Sequence, residues 1–196
     1  MENKTLGDDY WSNRYLDQQT GWDIGYSSTP LSSFAATIED KNAVILIPGC
    51  GNAYEVDDLL SKGFTNITVV DISSVLVKRL QEKFAGKPVK VIHADFFEHN
   101  GQYDFIFEQT FFCALNPSLR ERYVTKMNEL LKPGGQLVGV MFNRVFEEDG
   151  PPFGGTKEEY EQRFSPFFDI KKMELCYNSI LPREGNELFV RLQKPV

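Results

Sequence analysis

The feature that most constrains this chain is a rhythm of short, unbroken apolar runs. Ala43-Val-Ile-Leu-Ile47 is apolar at every position, and Ile67–Val70, Val89–Ile92, Tyr103–Phe107 and Leu137–Phe142 repeat its character. A strand with one wet face alternates; a strand covered on both faces has no need to. Helical segments fall between these runs. Glu55–Leu60 is one, and Ser73–Phe84 carries Val75, Leu76, Leu80 and Phe84 at helical spacing. Pro117–Leu131 opens on Asn116-Pro117, a capping residue followed by proline at the first helical position, and stops at Lys132-Pro-Gly-Gly135. Thr156 with Glu159 forms a capping box for a further helix to about Phe164. Strands alternating with helices make βαβ units, and these give a parallel sheet with helices on both faces. The tail departs from that rhythm. Ile170–Asn178 and Glu187–Gln193 both read as strands, and the link Ser179–Asn186 is too short for a crossover helix, so the two pair antiparallel. The fold class is therefore α/β: a mostly parallel, seven-stranded sheet with an antiparallel C-terminal strand.

A chain of 196 residues has the size of one domain. We expect a single domain over 1–196, with an aromatic leader over 1–40 and the core over 43–196. Thr29-Pro30 starts a leader helix through Leu31–Ile38. The net charge of −7 argues against a nucleic-acid partner, since phosphates are neutralised by Lys and Arg. No apolar run has the roughly 18–20 residues of a membrane span, and the N-terminus opens polar, so the expected location is the cytoplasm. Cys50, Cys113 and Cys176 form no CxxC pair and suggest reduced thiols. With two histidines, His93 and His99, and no HExxH spacing, no metal site is expected. Oligomeric state is not legible in the sequence; a monomer is compatible with it.

The first strand runs into Pro48-Gly-Cys-Gly-Asn-Ala53. Glycines at the carboxyl end of a first parallel strand let backbone approach a nucleotide-like ligand, because no Cβ intervenes. Asp71 ends the second strand 20 residues after Gly51, where a carboxylate can accept both ribose hydroxyl protons. The third glycine of a dinucleotide fingerprint is missing. Ala53 stands there, and Glu55 follows at the start of the next helix, where a negative charge discourages pyrophosphate. A cationic, phosphate-free adenosine ligand such as S-adenosylmethionine fits better than NAD. Asp95, at the end of the third strand, is placed to hold an adenine amino group with Phe96 bordering the ring.

Ile47-Pro-Gly-Cys-Gly-Asn-Ala-Tyr-Glu55, Val70-Asp-Ile-Ser73, Asp95 and Leu131-Lys-Pro-Gly-Gly135 together resemble the class I S-adenosylmethionine-dependent methyltransferases. Trp22-Asp-Ile-Gly25, Thr29-Pro-Leu31, Thr110-Phe-Phe-Cys-Ala114 and Gly150-Pro-Pro-Phe153 narrow the resemblance to the thiopurine methyltransferase family, closest to its halide/thiol branch. The resemblance implies a Rossmann-like fold, S-adenosylmethionine as cofactor and S-adenosylhomocysteine as product. Acceptors would be small soft nucleophiles: thiols, thiopurines, bisulfide, thiocyanate or halides. It implies cofactor contacts from Trp11, Tyr15, Trp22, Gly49, Gly51, Asp71, Ile72, Asp95, Phe96 and Gln109. Glu108 and Gln109 depart from the family pattern, in which Asp and then Tyr or Arg are common.

Displacement at a sulfonium by an anionic nucleophile calls for proximity, alignment and exclusion of water, and thiolates and halides need no general base. No Ser/His/Asp order and no well-placed histidine suggests one; His93 reads as structural, and no catalytic side chain is assigned. Phe111, Phe112, Phe142 and Phe153 are expected as an apolar wall on the cofactor side, with Phe112, Phe142 and Phe153 against the acceptor, and Gly150–Gly155 as a lid. Two other readings stay open. One is an NAD(P)-binding oxidoreductase, which the antiparallel tail and the lack of a Tyr-x-x-x-Lys pair disfavour. The other is a non-catalytic cofactor-binding protein.

Overall fold

The computed structural model describes residues 6–146 and 150–196. Its strands are β1 (Ile45–Pro48), β2 (Ile67–Asp71), β3 (Val89–His93), β4 (Tyr103–Gln109), β5 (Leu131–Phe142), β6 (Asp169–Leu175) and β7 (Glu187–Gln193). They form one sheet in the order β3-β2-β1-β4-β5-β7-β6. β1 to β5 pair in parallel, and β7 runs antiparallel to both β5 and β6. The helices are α1 (Asp8–Leu16), α2 (Thr29–Ala35), α3 (Tyr54–Ser61), α4 (Ser74–Lys83), α5 (Arg120–Leu130) and α6 (Lys157–Phe164).

Two cores lie on opposite sides of the sheet, sorted by strand alternation. Ile45, Ile47, Ile67, Val69, Phe107 and Val138 pack under Leu31 and Ala35 of α2, Val56 and Leu59 of α3, and Leu76 and Leu80 of α4. Their neighbours Leu46, Val70, Ile106, Leu137 and Met141 face Tyr123, Val124 and Met127 of α5 and Tyr160 and Phe164 of α6. The unbroken apolar runs are thus strands with helices on both faces.

Several boundaries differ from the sequence expectation. Pro117–Leu119 forms a 3₁₀ turn, with Asn116 Oδ1 accepting from Ser118 N at 3.0 Å, and the α-helix begins only at Arg120. β5 starts at Leu131, which pairs with Tyr103, and the Lys132-Pro-Gly-Gly segment bulges before pairing resumes at Gln136 opposite Phe105. The bulge is held by Lys132 Nζ, 2.9 Å from both Asp104 carboxylate oxygens. β6 ends at Leu175 rather than Asn178. Helix α1 has no counterpart in the sequence expectation. Its mix of charges and aromatics lacks an apolar stripe, and long-range polar contacts hold it: Ser12 Oγ lies 2.9 Å from Ser73 Oγ, and Asp8 Oδ1 accepts from Ser74 N at 2.8 Å.

Candidate active site

Parallel strands bring their carboxyl ends to one edge of the sheet, and a cavity of about 650 Å³ opens there. β1 contributes Gly49 to Asn52, β2 Asp71 and Ile72, β3 Ala94, Asp95 and Phe96, β4 Gln109, Thr110 and Phe111, and β5 Phe142. From the leader come Tyr10, Trp11, Arg14, Tyr15, Trp22 and Asp23, and from the C-terminal half Pro151, Pro152 and Arg183. Trp11, Tyr15, Trp22, Gly49, Gly51, Asp71, Ile72, Asp95, Phe96, Gln109 and Phe142, all singled out in the sequence, therefore line one cavity.

Both glycines of the β1 loop adopt positive φ, +55° at Gly49 and +53° at Gly51, but their surroundings differ. A Cβ on Gly49 would stand 2.1 Å from Cδ2 of Phe111, so packing alone demands glycine. A Cβ on Gly51 would meet only Tyr15 Oη, at 3.6 Å, leaving its backbone face open to a ligand. Asp71 is buried beneath this loop, with Oδ1 accepting from Ser73 N at 2.9 Å. Burial pushes its carboxyl up to about 6, against the pull of backbone N–H groups of Ser73, Gly51 and Ile72. Asp95 caps the next turn, its Oδ1 accepting from Phe97 N at 2.9 Å, and its exposed side chain stands at the cavity rim. His93 Nε2 lies 3.0 Å from the Ile72 carbonyl oxygen and does not line the cavity, which fits a structural part.

Over the β1 loop, Trp22 meets Trp11 edge-on at 5.5 Å between ring centroids and Tyr15 at 5.8 Å. Buried Glu55 accepts from Ser28 N at 2.9 Å and ties the leader to α3.

Two expected wall residues are misplaced by the sequence reading. Phe112 turns away from the cavity into the core, where its ring packs at 4.9 Å on Tyr123 and 5.5 Å on Tyr160. Its neighbour Phe111, expected in the same wall, does line the cavity. The cause is Thr110, whose φ of +60° reverses the chain after β4 and is costly for a β-branched residue. Phe153 also lies outside the lining; its N–H donates to Cys113 O at 2.7 Å, and Pro151 and Pro152 form the wall. Glu108 is fully buried below. It accepts from Phe111 N at 2.7 Å, Phe112 N at 3.0 Å and Tyr123 Oη at 2.5 Å, so it pins this turn. Burial pushes its carboxyl up to about 7. Gln109 Oε1 is buried with no hydrogen-bond partner among the described residues.

The glycine loop, the strand-end carboxylate and the orphaned amide oxygen fit an adenosine-bearing sulfonium, and fold and site together define a class I S-adenosylmethionine-dependent methyltransferase. The family model for thiopurine S-methyltransferase (TPMT) matches residues 6–193. The chain belongs to that family. It is 32% identical to the probable thiol methyltransferase 2 of Arabidopsis thaliana over 94% of this chain and 84% of that protein. It is 29% identical to thiocyanate methyltransferase 1 of Brassica oleracea, over 97% and 87%. Among solved structures, 1,6-didemethyltoxoflavin-N1-methyltransferase of Burkholderia thailandensis shares the fold, with a TM-score of 0.75, 19% identity, and 96% and 87% of the two chains covered. Among the described residues no helix is long and apolar enough to cross a membrane, and no cluster of His, Cys, Asp and Glu is arranged to hold a metal ion.

Proposed function

We propose that this protein methylates a small soft nucleophile (a thiol, thiopurine, bisulfide, thiocyanate or halide) and that it does so without a dedicated base. When bound, S-adenosylmethionine supplies an electrophilic methyl group on a sulfonium. Gly51 offers open backbone to it, Asp71 accepts the ribose hydroxyl protons, and Asp95 and Phe96 take the adenine edge and face. Trp11, Tyr15 and Trp22 roof the cavity and exclude water, and Gln109 Oε1 accepts from a donor of the bound molecule, since a buried acceptor left alone is costly.

The observation that carries the base-free reading is the make-up of the lining. It contains no histidine, and its one thiol at the acceptor end, Cys113, is pushed up to about 12 by burial and by the charge of Glu108. Cys113 Sγ lies 3.1 Å from the Thr110 carbonyl oxygen and stays a neutral donor rather than a rival nucleophile. Glu108 titrates near neutrality, but both its oxygens are engaged and it lies outside the lining. Phe111, Phe142, Pro151 and Pro152 give the acceptor an apolar wall suited to a weakly hydrated anion.

The test is a pH–rate comparison between 6.5 and 9 with the cofactor saturating. A cysteine-like thiol should react in proportion to its thiolate fraction, rising towards about 8.5. Thiocyanate or iodide, already anionic, should give a flat profile. One bell-shaped curve shared by both acceptors would reveal an enzyme base, and activity on amines alone would overturn the acceptor class.

A further inference from the structure

Trp22 stands in the connection between α1 and α2, which has little backbone structure of its own. Within residues 18–27 the backbone hydrogen bonds run from Gln19 N to Arg14 O and from Asp23 N to Thr20 O, each 2.9 Å. The position of the segment is therefore imposed from outside it. On one side the Asp23 carboxylate accepts from Asn52 Nδ2 and from Tyr54 Oη, the latter at 3.2 Å, fastening it to the glycine loop and α3. On the other side Arg183 Nη2 donates to the Trp22 carbonyl oxygen at 2.9 Å, across 161 residues of sequence.

Arg183 is buried and lines the cavity, where an arginine invites reading as a ligand for an anionic acceptor. Both of its terminal nitrogens have partners in the protein. Nη1 faces the buried Glu187 at 3.4 Å, Nη2 takes the Trp22 carbonyl, and the guanidinium lies 5.6 Å from the Phe142 ring centroid. A cation paired with a buried carboxylate and a backbone carbonyl is a connector, with a rigid planar fork suited to holding two acceptors apart. Resting on the methyltransferase reading of the cavity, we infer that Arg183 is a positioning residue: it holds Trp22 over the cofactor half of the cavity. Cofactor affinity then depends on a side chain delivered from the turn before β7, three strands along the sheet from β1 and its glycine loop.

The test compares the wild type with Arg183→Met, Arg183→Lys and the double variant Arg183→Met/Glu187→Gln, which leaves no unpaired buried carboxylate. Chymotrypsin cleavage of the ligand-free protein after Trp22 or Tyr26 should speed up about tenfold in both Met variants, the factor for losing one charge-assisted hydrogen bond. The calorimetric Kd for S-adenosylhomocysteine should rise by a similar factor. Arg183→Lys, which keeps one donor, should fall between. A raised acceptor KM with wild-type cleavage and wild-type S-adenosylhomocysteine affinity would overturn the inference. So would a folded double variant cut at the wild-type rate. Faster cleavage in variants of a protein that binds no S-adenosylhomocysteine would support the hold on Trp22 and overturn the cofactor reading instead.

Discussion

Asp71 shows how much a single buried carboxyl decides. Its folded value of about 6 lies above the ordinary aspartate range because burial penalises the charge. In the proposed role ribose hydroxyls donate to the ionised form, so binding would favour the carboxylate and release a proton wherever Asp71 is protonated beforehand. Affinity for S-adenosylhomocysteine should accordingly be flat above about pH 7 and fall towards tenfold per unit below 6. Calorimetry between pH 5 and 8 in two buffers of different ionisation enthalpy reads both the affinity and the proton. An affinity independent of pH, with no proton released at pH 5.5, would remove Asp71 from the ribose. Asp71 was legible in the sequence because its offset from Gly51 and its place at a strand end are fixed by the βαβ unit. The choice between Phe111 and Phe112 was not. It turns on the positive φ of Thr110, on the three bonds held by Glu108 and on the absence of a Cβ at Gly49, and none of these leaves a pattern in neighbouring residues.

Among the elements, β1, β2 and β4 announce themselves by unbroken apolar runs and α4 by its spacing, because the two cores select their apolar positions. Helix α1 does not, because what it packs against is a loop and a helix start. Asp8 is the hinge-pin of that packing: its Oδ1 accepts from Ser74 N at 2.8 Å and Ser74 Oγ at 3.0 Å, while its Oδ2 lies 3.5 Å from His93 Nε2. It serves two helices at once, in the first turn of α1 and at the start of α4. Asp8→Ala should therefore loosen α1 by about 1 kcal/mol, the usual worth of a capping carboxylate, and weaken cofactor binding by roughly fivefold. Hydrogen exchange should show the loss confined to Asp8–Leu16 and the start of α4. Unchanged exchange in α1 would mean that Trp11 and Tyr15 anchor it without Asp8.

For the molecule as a whole, burial raises four carboxyls, Glu55, Asp71, Glu108 and Glu187, and these weigh on the pH of greatest stability. Asp71 at about 6 and Glu108 at about 7 lie above their unfolded values, so their protonated forms favour the fold below about 4, and that contribution is lost as pH rises through 6 and 7. Asp104, beside Lys132, and Glu159, beside Arg120 and Arg163, are held below the ordinary carboxylate range and act oppositely, losing their contribution as pH falls through their lowered values. The ligand-free protein should be most resistant to urea between about pH 4 and 6, and excess S-adenosylhomocysteine should restore most of Asp71's share at pH 8. A midpoint that climbs steadily from pH 5 to 8 would contradict this balance. The sheet's order holds one more consequence, for synthesis. β7 fills the slot between β5 and β6, so β6 leaves the ribosome before the only strand that pairs with it among the described residues. Until Glu187–Gln193 emerges, β5 and β6 both expose open hydrogen-bonding edges, which are templates for pairing with other chains. Arg183 arrives just ahead of that strand. The nascent polypeptide thus completes the pocket wall and covers the edge of β5 within the same few residues of translation, and a stall before them leaves an aggregation-prone fragment with no enzyme in it.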